Sequence, residues 1–157
     1  MNVFALNAAL ALAWAALVGS FTLPSLLVGF VVGYGSLWVA RPLFGQTVYF
    51  ERVWRIGRLC ILFIYELLVS SLRVVWDVIT PTHLSRPGII AMPLDARGDG
   101  EILLVASLIS LTPGTLSLDV SADKKTLYVH AMFVDDPEAL RQELKQGMER
   151  SVREALE

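Results

Sequence analysis

The hydrophobic pattern divides the chain into an uncharged front, one long amphipathic stretch and a mixed tail. Positions 2–19 and 24–40 are two apolar runs, and no Asp, Glu, Lys or Arg occurs in residues 1–40. At about 1.5 Å per residue each run reaches across most of a hydrocarbon layer of roughly 30 Å, so the pattern predicts two slightly short membrane helices. The intervening 19–23 reads as a tight turn. Pro24 suits the first turn of the second helix, where a missing N–H leaves nothing unpaired. Together the runs predict a helical hairpin. A cleaved signal peptide competes for the start, because Ala13, Trp14 and Ala15 imitate a small-x-small site. No basic residue precedes the run and a second run follows at once, which favours a retained helix.

Small residues recur at every fourth position: Ala5, Ala9 and Ala13 in the first run, Gly29 and Gly33 in the second. Lipid offers helices little hydrophobic drive to associate, so close backbone approach through small residues is the usual route to packing. Gly29 and Gly33 are therefore candidate contact residues. Asn7 is placed to hydrogen bond across the hairpin, an effect of about 0.6–2 kcal/mol.

The third stretch, 51–77, has room for seven helical turns. Its charges Glu51, Arg52, Arg55, Arg58, Glu66, Arg73 and Asp77 fall within an arc of roughly 120°, and the rest of its circumference is Leu, Ile, Val, Phe and Trp. Such a helix belongs at a boundary, half sunk in a membrane surface or with its stripe turned to another protein. Only fourteen residues separate Arg58 from Arg73, and Glu66 sits near their middle, so an interfacial helix is favoured over a third span. Both remain open. Glu66 and Arg73 share a face two turns apart and are candidate intramembrane or subunit-contact residues. The stripe is expected to meet water, headgroups or a neighbouring subunit, with Glu66 in an ion path as the bolder alternative. Trp54 and Trp76 near the ends suit an interface.

Thr80, Pro81 and Thr82, then Arg86, Pro87 and Gly88, break the pattern, so 80–88 reads as a linker. A short β-branched run from Gly88 predicts a strand. Residues 102–111 follow as a buried helix opened by Glu101 and closed by Thr112, Pro113 and Gly114. Leu116, Leu118 and Val120 alternate with Ser117 and Asp119, and after the turn 121–125 Leu127, Val129, Ala131 and Phe133 alternate again. This predicts a hairpin with those residues on its buried side. Asp136 caps a helix begun by Pro137, with Leu140, Leu144, Met148, Val152 and Leu156 as its apolar stripe.

The predicted fold is thus a membrane α-helical hairpin plus a long amphipathic helix, followed by a small α+β two-layer domain of order βαββα. Its parts are 1–40 (two transmembrane helices), 41–79 (basic loop and amphipathic interfacial or third membrane helix), 80–88 (linker) and 89–157 (cytoplasmic α/β domain).

Charge sharpens this division. Residues 41–88 carry six arginines against three acids, a net of +3, while 89–157 hold twelve acids and seven bases, a net of −5. Arg41, Arg52, Arg55 and Arg58 mark the side they occupy as cytoplasmic, and with two spans the N-terminus lies there too. An acidic tail argues against nucleic acid, since phosphate binding needs a basic surface. The lone Cys60 excludes an internal disulfide.

Candidate chemistry is sparse. His83 and His130 have no Cys or carboxylate at metal-ligand spacing, and neither a phosphate-cradling glycine loop nor a nucleophile motif occurs, so no cofactor, metal or catalytic residue is expected. Thr112, Pro113, Gly114 and Thr115 form a polar break that is either a helix-ending turn or a docking turn for a partner.

The sequence of 108–132 carries a resemblance. Leu-Thr-Pro-Gly-Thr at 111–115, Asp-Val-Ser at 119–121, Leu-Tyr-Val-His at 127–130 and Ile-Tyr-Glu at 64–66 resemble the E subunit of the multisubunit cation/proton antiporters, the Mrp family. The resemblance spans nearly the whole chain. It implies a small, non-catalytic companion in the bacterial plasma (inner) membrane, multi-pass, with its C-terminal domain cytoplasmic. Its implied partners are large antiporter-like subunits that carry the ions, small membrane subunits and the lipid bilayer. From the residues alone, a membrane-anchored regulatory domain binding a small ligand at the cytoplasmic face, near 98–101 or 112–115, remains the alternative.

Overall fold

The computed structural model describes residues 2–44, 48–81 and 84–156; Thr82 and His83 of the expected linker lie outside the described residues. The chain forms two compact units, residues 1–53 and 54–157.

The first unit is a helical hairpin. Helix α1 (Val3–Val18) is capped by the Asn2 side chain, which accepts from the amides of Phe4 and Ala5, and it ends at Gly19 with φ +68°, a left-handed conformation that favours glycine. Helix α2 (Leu23–Val39) starts with Pro24 in its first turn and is followed by a 3₁₀ turn, Arg41–Leu43. The helices run antiparallel, because Gly29 meets Trp14 and Ala11 while Gly33 meets Asn7 and Leu10. A side-chain carbon at Gly29 would lie 2.8 Å from the Trp14 Cβ, and one at Gly33 would overlap the Asn7 amide oxygen. Both glycines are therefore buried contact positions set by backbone proximity.

The partner face on α1 differs from expectation. Ala5, Ala9 and Ala13 are exposed, and the buried row is Val3, Asn7, Ala11 and Ala15. Small residues are spread round this helix, so spacing by four occurs on more than one face. The row that turns inward is the one that buries Asn7. Asn7 Nδ2 donates to the Tyr49 hydroxyl at 2.6 Å, and Tyr49 packs with Tyr34 and Phe50 at ring-centroid distances of 5.9 and 5.3 Å. Phe50 joins Val3 and Leu37 in the buried centre of this unit.

Helix α3 (Tyr49–Ile79) is the only one among the described residues long and apolar enough, by length and composition, to cross a membrane; α1 and α2 have 16 and 17 residues. Its first residues, 49–53, belong to the hairpin unit and the remainder to the second unit.

The second unit carries a three-stranded antiparallel sheet of order β1-β3-β2, formed by β1 (Gly88–Pro93), β2 (Thr115–Val120) and β3 (Thr126–Ala131). Helix α4 (Asp99–Leu111) buries Ile102, Val105 and Ile109 against the sheet, and the Glu101 carboxylate accepts from the amides of Arg97 and Gly98 at its start. The core gathers Ile90, Met92, Leu127, Val129, Met148 and Val152 around that helix face, and Leu59 of α3 is part of it.

Two local irregularities move residues off the expected faces. The register between β2 and β3 shifts between Ser117 and Asp119, a bulge that leaves Leu118 without a partner. Before the bulge Thr115 and Ser117 share a side with the buried Ala131 and Val129, so Leu116 and Leu118 are exposed. After it, Val120 returns to the side of Leu127. The C-terminal helix is likewise divided into α5 (Pro137–Leu144), a π turn (Lys145–Glu149) and α6 (Arg150–Leu156). The π turn presents both Met148 and Glu149 to the interior. Beyond it Ala155 is buried while Leu156 is exposed. Glu149 is spent on structure: its Oε1 accepts from the amides of Asp95 and Ala96 at 2.6 and 2.9 Å.

The hairpin packing yields a paired test. Gly33→Ala drives a methyl group into the Asn7 amide, whereas Gly35→Ala meets open space. We expect Gly33→Ala to destabilise the full chain in detergent by about 1–3 kcal/mol. Gly35→Ala should leave the thermal midpoint unchanged or slightly raised; equal midpoints for the two variants contradict this packing.

Candidate functional site

The charged stripe of α3 is the one polar feature on an otherwise apolar helix, and its direction decides what it can do. On a helix of 3.6 residues per turn Arg55, Leu59, Glu66, Ser70, Arg73 and Asp77 share one side. Within the second unit that side faces the chain's own α/β domain. Arg55 Nη1 donates to the Glu154 carbonyl at 3.2 Å, and the Arg58 guanidinium stands 3.8 Å from the Glu154 carboxylate. A hydrogen bond from Arg150 holds the Glu154 carboxyl below the ordinary glutamate range, with Arg58 and Arg55 contributing. One turn on, Leu59 enters the core and Phe63 packs against it.

Midway along, Glu66, Ser70 and Arg73 line a cavity of about 70 Å³ together with Thr112, Pro113, Gly114, Thr115, Phe133 and Glu143. Glu66 and Arg73, two turns apart on one face, both line this cavity. The Arg73 guanidinium lies over the Phe133 ring, 6.0 Å from its centroid. At the end of α3 the buried Asp77 carboxylate accepts from the amides of Leu84 and Ser85 at 2.5 and 2.9 Å. The expected linker is thus anchored. Arg86 extends the anchoring: its amide donates to the Met132 carbonyl, and the Val134 amide donates to its own.

The turn at 112–115 is half-buried and satisfied from within. Thr112 Oγ1 donates to the Leu108 carbonyl at 3.0 Å, and Thr115 Oγ1 to the Ile109 carbonyl at 2.6 Å. Gly114 has φ +89°, a conformation that favours glycine, and its carbonyl accepts from the Met132 amide at 2.7 Å. Its nearest non-local neighbour is Val74 of α3. These residues end a helix and seat α3. The cavity itself, at about 70 Å³, is far below the roughly 300–1,000 Å³ of small-molecule sites, while Arg73, Phe133 and Glu143 also line an adjoining, more open space of about 540 Å³. The region 98–101 borders an open, mostly apolar shelf with Leu103, Leu104 and Leu156.

His130 is half-buried on the sheet's open side, level with Ile89 and Leu116 in the register; His83 lies outside the described residues. Cys60 is exposed on α3. Sequence reasoning missed Glu154, Glu143 and Phe133 as partners of the stripe. No periodicity links residues so far apart in the chain, and the only hint was that an ionic stripe on an apolar helix needs something polar to face.

Comparison with known proteins places this geometry. Residues 7–155 match a family model described as Na+/H+ ion antiporter subunit. The E subunit of the Na+/H+ antiporter of Alkalihalophilus pseudofirmus is 39% identical over 149 residues, covering 95% of this chain and 94% of the relative. The chain belongs to the family of Na+/H+ antiporter E subunits. The corresponding protein of Bacillus subtilis is 35% identical over 149 residues with the same coverage, 95% and 94%. Among solved structures, a chain of the membrane-bound sulfane sulfur reductase, an archaeal respiratory membrane complex, matches with a TM-score of 0.60 at 21% identity over 96% of each chain, a likeness of fold alone. In this antiporter subunit the residues 111–115, which carry much of the sequence resemblance, face α3 and the cavity.

The seating of α3 can be probed at its end. Asp77→Ala removes a charged acceptor shared by two amides, a loss of about 1.5–3 kcal/mol per bond. Hydrogen exchange at Leu84 and Ser85 should accelerate at least about tenfold; unchanged exchange contradicts the contact.

Proposed function

We propose that the chain is a non-catalytic, accessory subunit of a multisubunit monovalent cation/proton antiporter in the bacterial plasma membrane. It packs against larger ion-translocating subunits and contributes to assembly. In this reading α1 and α2 cross the bilayer as a hairpin, and the α/β domain, of order βαββα, lies on the cytoplasmic side marked by Arg41, Arg52, Arg55 and Arg58. The relatives' names support membership of an antiporter. What supports the accessory role is the placing of charge. Residues 1–40 hold no Asp, Glu, Lys or Arg, and Glu66, the carboxylate midway along α3, is turned to the chain's own domain beside Arg73, Glu143 and the 112–115 turn. An ion path needs a polar group that ions can reach from both sides, and a half-buried carboxylate facing the chain's own domain across a cavity of about 70 Å³ is a poor one.

Glu66→Gln keeps the shape and most of the hydrogen bonding while removing the charge. With the variant in place, antiport by the whole complex should be unchanged and the chain should still co-purify with its neighbours in mild detergent. Loss of antiport from an intact complex contradicts the reading, as does a chain that runs alone while antiport proceeds normally without it.

A further inference from the structure

With its ionic side taken by the α/β domain, α3 leaves the opposite side uncovered, and that side has a definite chemistry. Between 54 and 79 the outward arc is Trp54, Ile61, Ile64, Tyr65, Leu68, Leu72, Val75, Trp76 and their neighbours, with Arg58, in line with Trp76 at its margin, as its one charge. Ile61 and Leu72 are each 70% exposed and Trp54 73%. The hydroxyl of Ser71, at the margin of this arc, donates to the Leu67 carbonyl of its own helix, so it asks nothing of its surroundings. Trp54 and Trp76 both lie on this arc, and amphipathic aromatic rings of that kind settle at headgroup level. Arg58, at the edge of the arc, keeps its side chain 69% exposed and is held by Glu154 only at 3.8 Å, free to reach an anionic headgroup.

We propose that α3 is a lipid-seated helix lying along the membrane surface, its outward arc sunk in the bilayer and the α/β domain carried on its other side. The inference rests on the membrane reading above and adds the surface by which the domain is held. One magnitude argues against an upright α3. From Arg55 to Asp77 the stripe touches the domain along about 33 Å of helix, so a crossing α3 would pull a domain bearing Glu143, Arg150 and Glu154 into hydrocarbon. Lying flat, the same helix sinks apolar side chains into lipid to a depth of about 5–10 Å and keeps Arg58 at headgroup level.

The test uses the full chain in vesicles of phosphatidylethanolamine with a minority of phosphatidylglycerol. In a Cys60→Ser background, single cysteines replace Trp54, Ile61, Leu68 and Val75, which follow one line along the arc. Each carries a nitroxide whose depth is read from its accessibility to oxygen against a water-soluble relaxant. We expect one shallow depth for all four, equal within a few ångströms. A depth that sweeps through the bilayer centre, as about 31 Å of upright helix requires, overturns the inference while leaving the membrane reading intact. Four water-exposed labels on a chain that still resists alkaline extraction from the vesicles also overturn it. A chain released by that wash defeats the membrane reading itself.

Discussion

The contact on which the second unit depends is the seating of α3's charged side on the α/β domain. A stripe of arginines and acids on an apolar helix is costly to leave in lipid and useless against a purely hydrophobic core. The chain resolves this by supplying its partners in sequence order reversed: Glu154 near the C-terminus takes Arg55 and Arg58, Phe133 takes Arg73, and the amides of 84–85 take Asp77. Leu59 enters the core between them, so the polar contacts frame a hydrophobic one. The one ion pair among them, Arg58–Glu154, is exposed and weak; Leu59 burial and the Asp77 cap hold the helix down more firmly.

That arrangement gives meaning to features which otherwise look unrelated. The glycine at 114 allows the turn after α4 to approach Val74, and its two threonines spend their hydroxyls on their own helix, leaving a smooth wall for α3. The π turn brings Gly147 and Met148 to the same cavity while Glu149 fastens the 95–96 segment. In the hairpin unit the governing constraint is different. One buried amide, Asn7, selects which row of α1 faces α2, and Gly33 leaves room for it.

Much of this is legible in the sequence. The absence of charge over 1–40 announces the hairpin, Pro24 and Gly19 mark its turn, and the charge arc of 51–77 announces one long amphipathic helix. Gly29 and Gly33 stand out as contact positions because glycine is unusual inside a helix unless something comes close. The alanine row misleads because alanine is too common in α1 to mark a face. Leu116 and Leu118 are expected inward because strict alternation carries no sign of a bulge, and Leu156 because a single helical period cannot register a π turn. Least legible is the partner of the stripe. By sequence Glu66 and Arg73 are expected to meet water, headgroups or a neighbouring subunit, and the residues of their own chain beside them lie some 40 to 80 positions downstream, a relation that only the fold creates.

Joining α3 to the α/β domain covalently tests whether the helix is held by its own chain. Cysteines at Arg58 and Glu154, with Cys60 replaced by serine, should be linked within one chain by a short bismaleimide, giving a product of monomer mass in which a cut introduced between the two positions no longer separates the fragments. Linkage between chains, or none while both thiols react singly, would contradict it.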